Sequence, residues 1–265
     1  MNKIKLIYII ILVVIIIILI LGLVGKTHEN FKEYWEEHDK EFLKNTKLNN
    51  FNKQILKYNL QQENEFIKNI LLKSPKKSIF LDVGAYNGSS CLYISKELKK
   101  KDRNDIRIIA FEPNKTLSDK INEESKKLKL NVKCINIAVS NNKAIVFKKS
   151  DEGSGTMYDT NYKGDAFKSD TLDNLLSGLN IDNVFFMKID VEGHEPKVLA
   201  GAEKILKNTM HLYIEIWSDI HYEERAGGPH KGMSYNKKIL SYLSGFYPIQ
   251  KYEKNYYFKH KSLFL

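Results

Sequence analysis

The chain has 265 residues, with 42 Lys and Arg against 32 Asp and Glu, for a formal net charge of +10. Its composition, 43% hydrophobic and 28% charged, excludes a wholly disordered chain, and the length allows one medium domain plus an appendage. Cys91 and Cys134 are too few for a disulfide-framed scaffold and lack Cys-x-x-Cys metal spacing. The basic excess is nearly all lysine, with arginine only at Arg103, Arg107 and Arg225. Nucleic-acid readers lean on arginine for forked contacts, so scattered lysines with acids between them read as a solvated surface, and no nucleic-acid partner is expected.

The chain opens on Leu6–Gly25, which is almost wholly Ile, Leu and Val. A helix needs about 20 such residues to cross hydrocarbon. A signal peptide has a shorter apolar stretch and small residues before its cut, whereas Leu23 stands two before Gly25. Residues 1–25 are therefore expected to be an N-terminal transmembrane anchor, with the protein on a membrane as a single-pass chain. Lys3 and Lys5 precede the span, and Lys26, Lys32, Lys40 and Lys44 follow it. That count leans towards a cytosolic C-terminal part, and the orientation stays open.

Residues 26–74 carry apolar side chains at helical spacing. One stripe is Phe31, Tyr34, Trp35, His38 and Phe42; another is Phe51, Ile55, Tyr58, Phe66, Ile67, Ile70 and Leu71. A stalk and a helix docking on the next domain are expected. Pro75 marks the boundary of a domain over residues 75–265. Strands are predicted at Ser78–Val83, Arg107–Phe111, Val132–Ile137, Ala144–Phe147, Val184–Ile189 and Leu212–Trp217. Helices are predicted at Ser89–Lys100, Leu117–Leu128, Glu195–Leu206 and Asn236–Leu243, with Pro196 in the first turn of the third. Tyr247–Tyr252 and Tyr256–Lys259 would close the chain as a hairpin. This α/β alternation predicts a mostly parallel, Rossmann-like sheet covered on both faces, with an antiparallel edge.

Two motifs carry chemistry. Phe80-Leu81-Asp82-Val83-Gly84-Ala85-Tyr86-Asn87-Gly88 runs from a strand into a helix, where glycines let backbone approach a ligand and free N–H groups face it. Glu112, 28 residues past Gly84 at the end of the second strand, can accept both ribose hydroxyl protons of a nucleotide. Met187-Lys188-Ile189-Asp190-Val191-Glu192-Gly193-His194-Glu195 gathers three carboxylates and an imidazole at the end of the fourth parallel strand. Such a group suits proton abstraction or a hard metal ion. Lys188 can pair with an acid of the sheet's flank, Glu195 can serve as a first-turn acid, and His194 can cap the helix that follows. His211, Cys91 and Cys134 read as structural.

These residues resemble the FkbM family of S-adenosylmethionine-dependent methyltransferases. The resemblance lies in Asp-Val-Gly-Ala-x-x-Gly, Phe-Glu-Pro-Asn, Asn-Ile-Ala-Val-Ser and Lys-Ile-Asp-Val-Glu-Gly-His-Glu-Pro, in that order from Ser78 to Trp217. It implies a class I methyltransferase sheet of seven strands with a C-terminal antiparallel hairpin. It also implies S-adenosyl-L-methionine as cofactor, with Asp82, Gly84, Ala85 and Gly88 at its methionine side. Glu112 would hold the ribose, and Asn136 and Ala138 would line the adenine pocket. Thr171-Leu172-Asp173 and Glu215 match family positions without an assigned role. One departure is Tyr86, which stands where many relatives have Asn. Methylation of a hydroxyl on a sugar, glycan or glycosylated small molecule is the implied reaction, with Asp190, then Glu192, then His194 as the base. No metal ligand set is identified.

Two long segments, Ser150–Ser169 and Asp219–Ser234, are expected to emerge at the same sheet edge and meet the acceptor, offering Tyr158, Tyr162, His221, Tyr222 and His230. Two other classes remain. A nicotinamide oxidoreductase lacks its G-x-G-x-x-G here. A catalytically silent membrane-anchored binding module has no need for Asp82, Glu112 and Asp190 together.

Overall fold

A computed structural model describes residues 52–148, 157–158, 165–217, 235–252 and 254–264. The apolar segment Leu6–Gly25, the first stripe of residues 26–51 and most of both acceptor segments lie outside the described residues. Among the described residues, no helix is long and apolar enough to cross a membrane. The chain divides into two compact units, Met1–Leu56 and Lys57–Leu265, and the second holds the fold described below.

Seven strands form the main sheet: β1 (Ile79–Val83), β2 (Arg107–Phe111), β3 (Val132–Ile135), β8 (Val184–Ile189), β9 (Thr209–Glu215), β10 (Phe246–Tyr252) and β11 (Asn255–His260). Their order is β10-β11-β9-β8-β1-β2-β3. The five from β3 to β9 run parallel, and β11 returns antiparallel to β9. This is the sheet the resemblance implied. Burial explains the placing: β1 and β2 are buried from their second residue to their last, as central strands covered on both faces must be. In β3 buried Val132 and Cys134 alternate with exposed Lys133, the pattern of an edge.

Helices α1 (Asn52–Leu71), α2 (Ser89–Lys99) and α3 (Lys115–Lys127) precede or link the first strands. In α1, Ile67 and Leu71 are fully buried, and Phe66 meets Tyr257 edge-on at 4.9 Å. Arg103 clamps its end: the guanidinium donates to Leu72 O at 2.8 Å, Pro75 O at 3.1 Å and Asp105 Oδ1 at 2.9 Å. Helix α3 starts where Asn114 Oδ1 accepts from Leu117 N at 3.1 Å, a side-chain cap.

A second sheet, order β4-β7-β5-β6, is built from β4 (Ala138–Ser140), β5 (Ala144–Lys148), β6 (Met157–Tyr158) and β7 (Asp165–Thr171). It corrects two expectations. The strand expected over Val132–Ile137 stops at Ile135, because Asn136 turns aside to donate to the carbonyls of Glu112 and Pro113 at 3.1 and 2.7 Å. The chain then enters the second sheet. Part of the expected 150–169 loop is strand β7, whose polar sequence hides it; β4 pairs with one edge and β5 with the other. Beyond β7 lies α4 (Leu172–Ser177), capped by Thr171 Oγ1 on Asn174 N at 3.1 Å.

The helix expected over Glu195–Leu206 is two, α5 (Glu195–Ala200) and α6 (Glu203–Leu206). Gly201 separates them: a β-carbon there would stand 2.0 Å from Ser140 O. Asp173 caps α6, accepting from Lys204 N and Ile205 N at 2.9 Å each. Thr171 and Asp173 thus hold helix starts. Helix α7 (Tyr235–Tyr242) and a closing 3-10 turn at Lys261–Phe264 complete the described elements.

Candidate active site

The carboxyl ends of β1, β2, β8 and β9 meet at one edge, and Asp82, Glu112, Asp190, Glu192, Glu195 and Glu215 lie there, whereas Asp173 caps α6 elsewhere. Parallel strands force this, since each must return by a crossover before contributing its end.

The loop after β1 is held from both sides. Gly84 N and Ala85 N donate to Phe111 O at 3.0 and 3.1 Å, tying the loop to the end of β2. Glu112 accepts from Tyr86 N through Oε2 and from Asn114 N through Oε1, each at 2.8 Å. It is buried, and its two oxygens span the mouth between the first two strands. Gly84 and Gly88 have φ of +89° and +77°. A β-carbon at Gly84 would meet the Asp190 carbonyl, and one at Gly88 would stand 2.7 Å from Ile121 Cγ1. These glycines are therefore demanded by left-handed backbone and by contacts within the chain, where the sequence suggested room for a ligand.

Asp82 is fully buried, and among the described residues its carboxylate has no ion pair and only the weak Cys91 thiol as a donor beside it. Burial pushes its pKa up, against the pull of the Lys188 ammonium. Lys188, its cross-strand neighbour on β8, is engaged elsewhere: Nζ donates to Asp190 Oδ2 at 3.1 Å and ion-pairs with Glu63 Oε1 on α1 at 3.1 Å.

Asp190, Glu192 and Glu215 bring one carboxylate oxygen each to within 4.8 Å of one another. The sequence identified Asp190 and Glu192 as candidates but left Glu215 without a role. Burial, then the neighbouring Asp190 charge, raises the Glu215 pKa to about 7. Three such carboxylates are what a hard divalent ion takes. Lys254, on the β10–β11 turn, already pairs with Glu215, as Lys188 does with Asp190.

The turn between β8 and α5 is braced from inside. Glu195 is fully buried, and its Oε1 accepts from Val191 N and Gly193 N, each at 3.1 Å. Burial, then the Glu215 charge, pushes its pKa up to about 8. Glu192 takes φ +54° and Gly193 φ +100°, with the Trp217 ring so close that a β-carbon at Gly193 would meet it at 2.8 Å. His194 sits at the start of α5 without capping it; its Nε2 lies 3.0 Å from Ser140 Oγ, and the imidazole is buried. The third candidate base is thus bonded to β4, apart from the carboxylate group.

Asn136 is exposed and Ala138 buried just past the end of β3; the Asn136 amide holds the Glu112–Pro113 backbone. His211 is structural, with Nδ1 2.7 Å from Tyr257 Oη, and Cys91 and Cys134 are buried free thiols. A cavity of about 390 Å³ lined by Lys76, Lys77, Asn180, Phe185 and Met210 opens at the opposite sheet edge, away from these acids.

An α/β sheet with paired acids at its first two strand ends defines a nucleotide-type cofactor site. The family model described as "Methyltransferase FkbM domain" matches residues 82–256, and the chain belongs to that family. A curated relative, "Hexuronic acid methyltransferase AglP" of Haloferax volcanii, is 24% identical over 164 residues, 61% of this chain. The match spans 65% of that relative's length. Among solved structures, an O-methyltransferase from Bacillus cereus in complex with SAH is similar with a TM-score of 0.44 and 11% identity, over 74% of this chain and 79% of that one. An SAH-bound methyltransferase from Podospora anserina, PaMTH1, is similar at 0.43 and 12%, over 75% and 78%. Neither likeness bears on the reaction of this chain.

Proposed function

We propose that the protein transfers a methyl group from S-adenosylmethionine to a hydroxyl of a sugar, a glycan or a glycosylated small molecule. The observation that carries this reading is the crossing of two carboxylate pairs at one sheet edge. Asp82 and Glu112 end β1 and β2, and Asp190 with Glu215 ends β8 and β9. The residues fit the cofactor. Asp82 is a buried carboxylate that, among the described residues, has only the weak Cys91 thiol as a donor beside it and no ion pair, suited to a cationic amino group, and Glu112 bridges the loops where a ribose would lie. Asn136 and Ala138 take the adenine side.

The cofactor, when bound, supplies a methyl already activated on a sulfonium sulfur. The chain's own part is alignment and proton removal. Asp190 is 32% exposed, so an acceptor hydroxyl reaches it, and it is the base. Glu192 and Glu215 flank it and orient the acceptor. The hexuronic acid named for the similar Haloferax protein supports a sugar-bearing acceptor. Leu6–Gly25, by its length and composition, serves as a single-pass membrane anchor.

The test is calorimetric titration with S-adenosylmethionine, followed by transfer of radiolabelled methyl into uronic-acid-containing glycans. Asp190→Asn is expected to lower transfer ~10²–10⁴-fold while the protein stays folded. Absence of cofactor binding at millimolar ligand would overturn the reading. Recovery of the full chain in a carbonate-washed membrane fraction, and of a chain lacking Met1–Gly25 in the soluble fraction, tests the anchor.

A further inference from the structure

We propose that Glu63, on α1 and outside the matched residues 82–256, is a positioning residue of the cofactor site. It holds the buried Lys188 ammonium away from Asp82, leaving that carboxylate for a cationic group of the ligand. The inference rests on the methyltransferase reading and gives a task to a helix that reading does not otherwise use.

Asp82 and Lys188 are register partners on adjacent parallel strands, so their side chains leave the same face of the sheet. Opposite charges so placed ordinarily close on one another. Here they do not. Lys188 Nζ ion-pairs with Glu63 Oε1 and with Asp190 Oδ2, each at 3.1 Å, while among the described residues Asp82 has no ion pair and only the weak Cys91 thiol as a donor. The Lys188 and Glu63 side chains are 6% and 11% exposed, and Asp82 is fully buried. In such surroundings an unpaired carboxylate is costly, and a lysine within reach is its cheapest remedy. Something must therefore keep the ammonium engaged. Asp190 alone sits at the mouth of the site, whereas Glu63 approaches from the helix that covers this face.

The rotation of α1 fixes that approach. Ile67 and Leu71, four and eight residues beyond Glu63, are fully buried on the same stripe, and Phe66 packs on Tyr257. Three acids thus surround one lysine, and the odd carboxylate is the one nearest the Gly84–Gly88 loop. Withdrawing the Glu63 charge leaves the ammonium only Asp82 and Asp190, and it then competes with the cationic end of the donor.

The experiment measures S-adenosylmethionine affinity by calorimetry on the full chain, with melting temperature recorded for each variant. Glu63→Gln is expected to weaken binding about tenfold, and Glu63→Asp, which keeps the charge, less than threefold. Glu63→Gln combined with Lys188→Met removes the competing cation as well and should return affinity to within threefold of wild type. A helix that merely props the sheet gains nothing from that second change. Wild-type affinity in folded Glu63→Gln, or no recovery in the folded double variant, overturns the proposal. If Glu63→Gln fails to fold, the double variant decides alone. Failure of the wild-type chain to bind the cofactor would instead overturn the methyltransferase reading.

Discussion

Gly84 and Asp190 meet backbone to backbone: a β-carbon on Gly84 would stand 1.9 Å from the Asp190 carbonyl oxygen, with Gly84 held at φ +89°. The loop after β1 and the acid proposed as base are therefore positioned by one contact. Gly84→Ala is expected to destabilise the fold by ~2–5 kcal/mol. About 1–2 kcal/mol comes from left-handed backbone and ~1–3 from overpacking against atoms that cannot yield. Denaturant unfolding measures it, and an unchanged midpoint would show that the β8 end moves freely.

Glu112 accepts from Tyr86 N and Asn114 N before any ligand arrives. Its removal should do two things at once. Glu112→Ala loses charge-assisted bonds worth ~1.5–3 kcal/mol each to the loop and, on the proposed reading, to the ribose, so cofactor affinity should fall by more than tenfold. The melting temperature should fall as well, because two backbone donors lose their acceptor. Glu112→Gln, which keeps one acceptor oxygen, should show a smaller loss of both. Lost stability with unchanged affinity would make Glu112 a brace only.

The buried carboxyl of Glu195 gives stability a basic limit. Its folded pKa, about 8, lies above the ordinary 4.5, so the folded state favours the protonated form. Its contribution is whole below pH 4.5 and is lost as the pH climbs through about 8. His211 has the opposite sign. Burial lowers its pKa to about 4 from 6.5, so its contribution is present above pH 6.5 and lost as the pH falls through 4. Glu195→Gln should flatten the fall in melting temperature between about pH 4.5 and pH 8 and leave the profile below pH 4.5 unchanged. A fall as steep as wild type would place the basic limit elsewhere.

Arg103 is one of three arginines in the chain, and it fastens the end of α1 to the turn before β2. A lysine cannot reproduce a planar fork that reaches Leu72 O, Pro75 O and Asp105 together. Arg103→Lys should therefore cost about as much as Arg103→Ala, on the order of 2–3 kcal/mol for lost bonds to a charged donor. Limited proteolysis should then cut α1 first. Full rescue by lysine would mean that charge alone matters.

The sequence by itself determined the parallel sheet, its antiparallel hairpin and the strand ends that carry Asp82, Glu112 and Asp190. Each of these follows from local pattern: apolar runs of strand length, glycines after a strand, acids where the runs stop. What depends on residues far apart in the chain was decided only by tertiary structure. Glu215 joins Asp190 and Glu192 because β9 lies beside β8, and Glu63 reaches Lys188 because α1 packs over that face. His194 turns to Ser140 for the same kind of reason, since β4 passes beneath α5. Strand β7 was hidden because its pairing is supplied by neighbours on both edges, while its own residues alternate too weakly to announce it. Periodicity records which face of an element is apolar. It does not record which distant charge that face will meet, because the meeting depends on register and on crossovers that no local window contains.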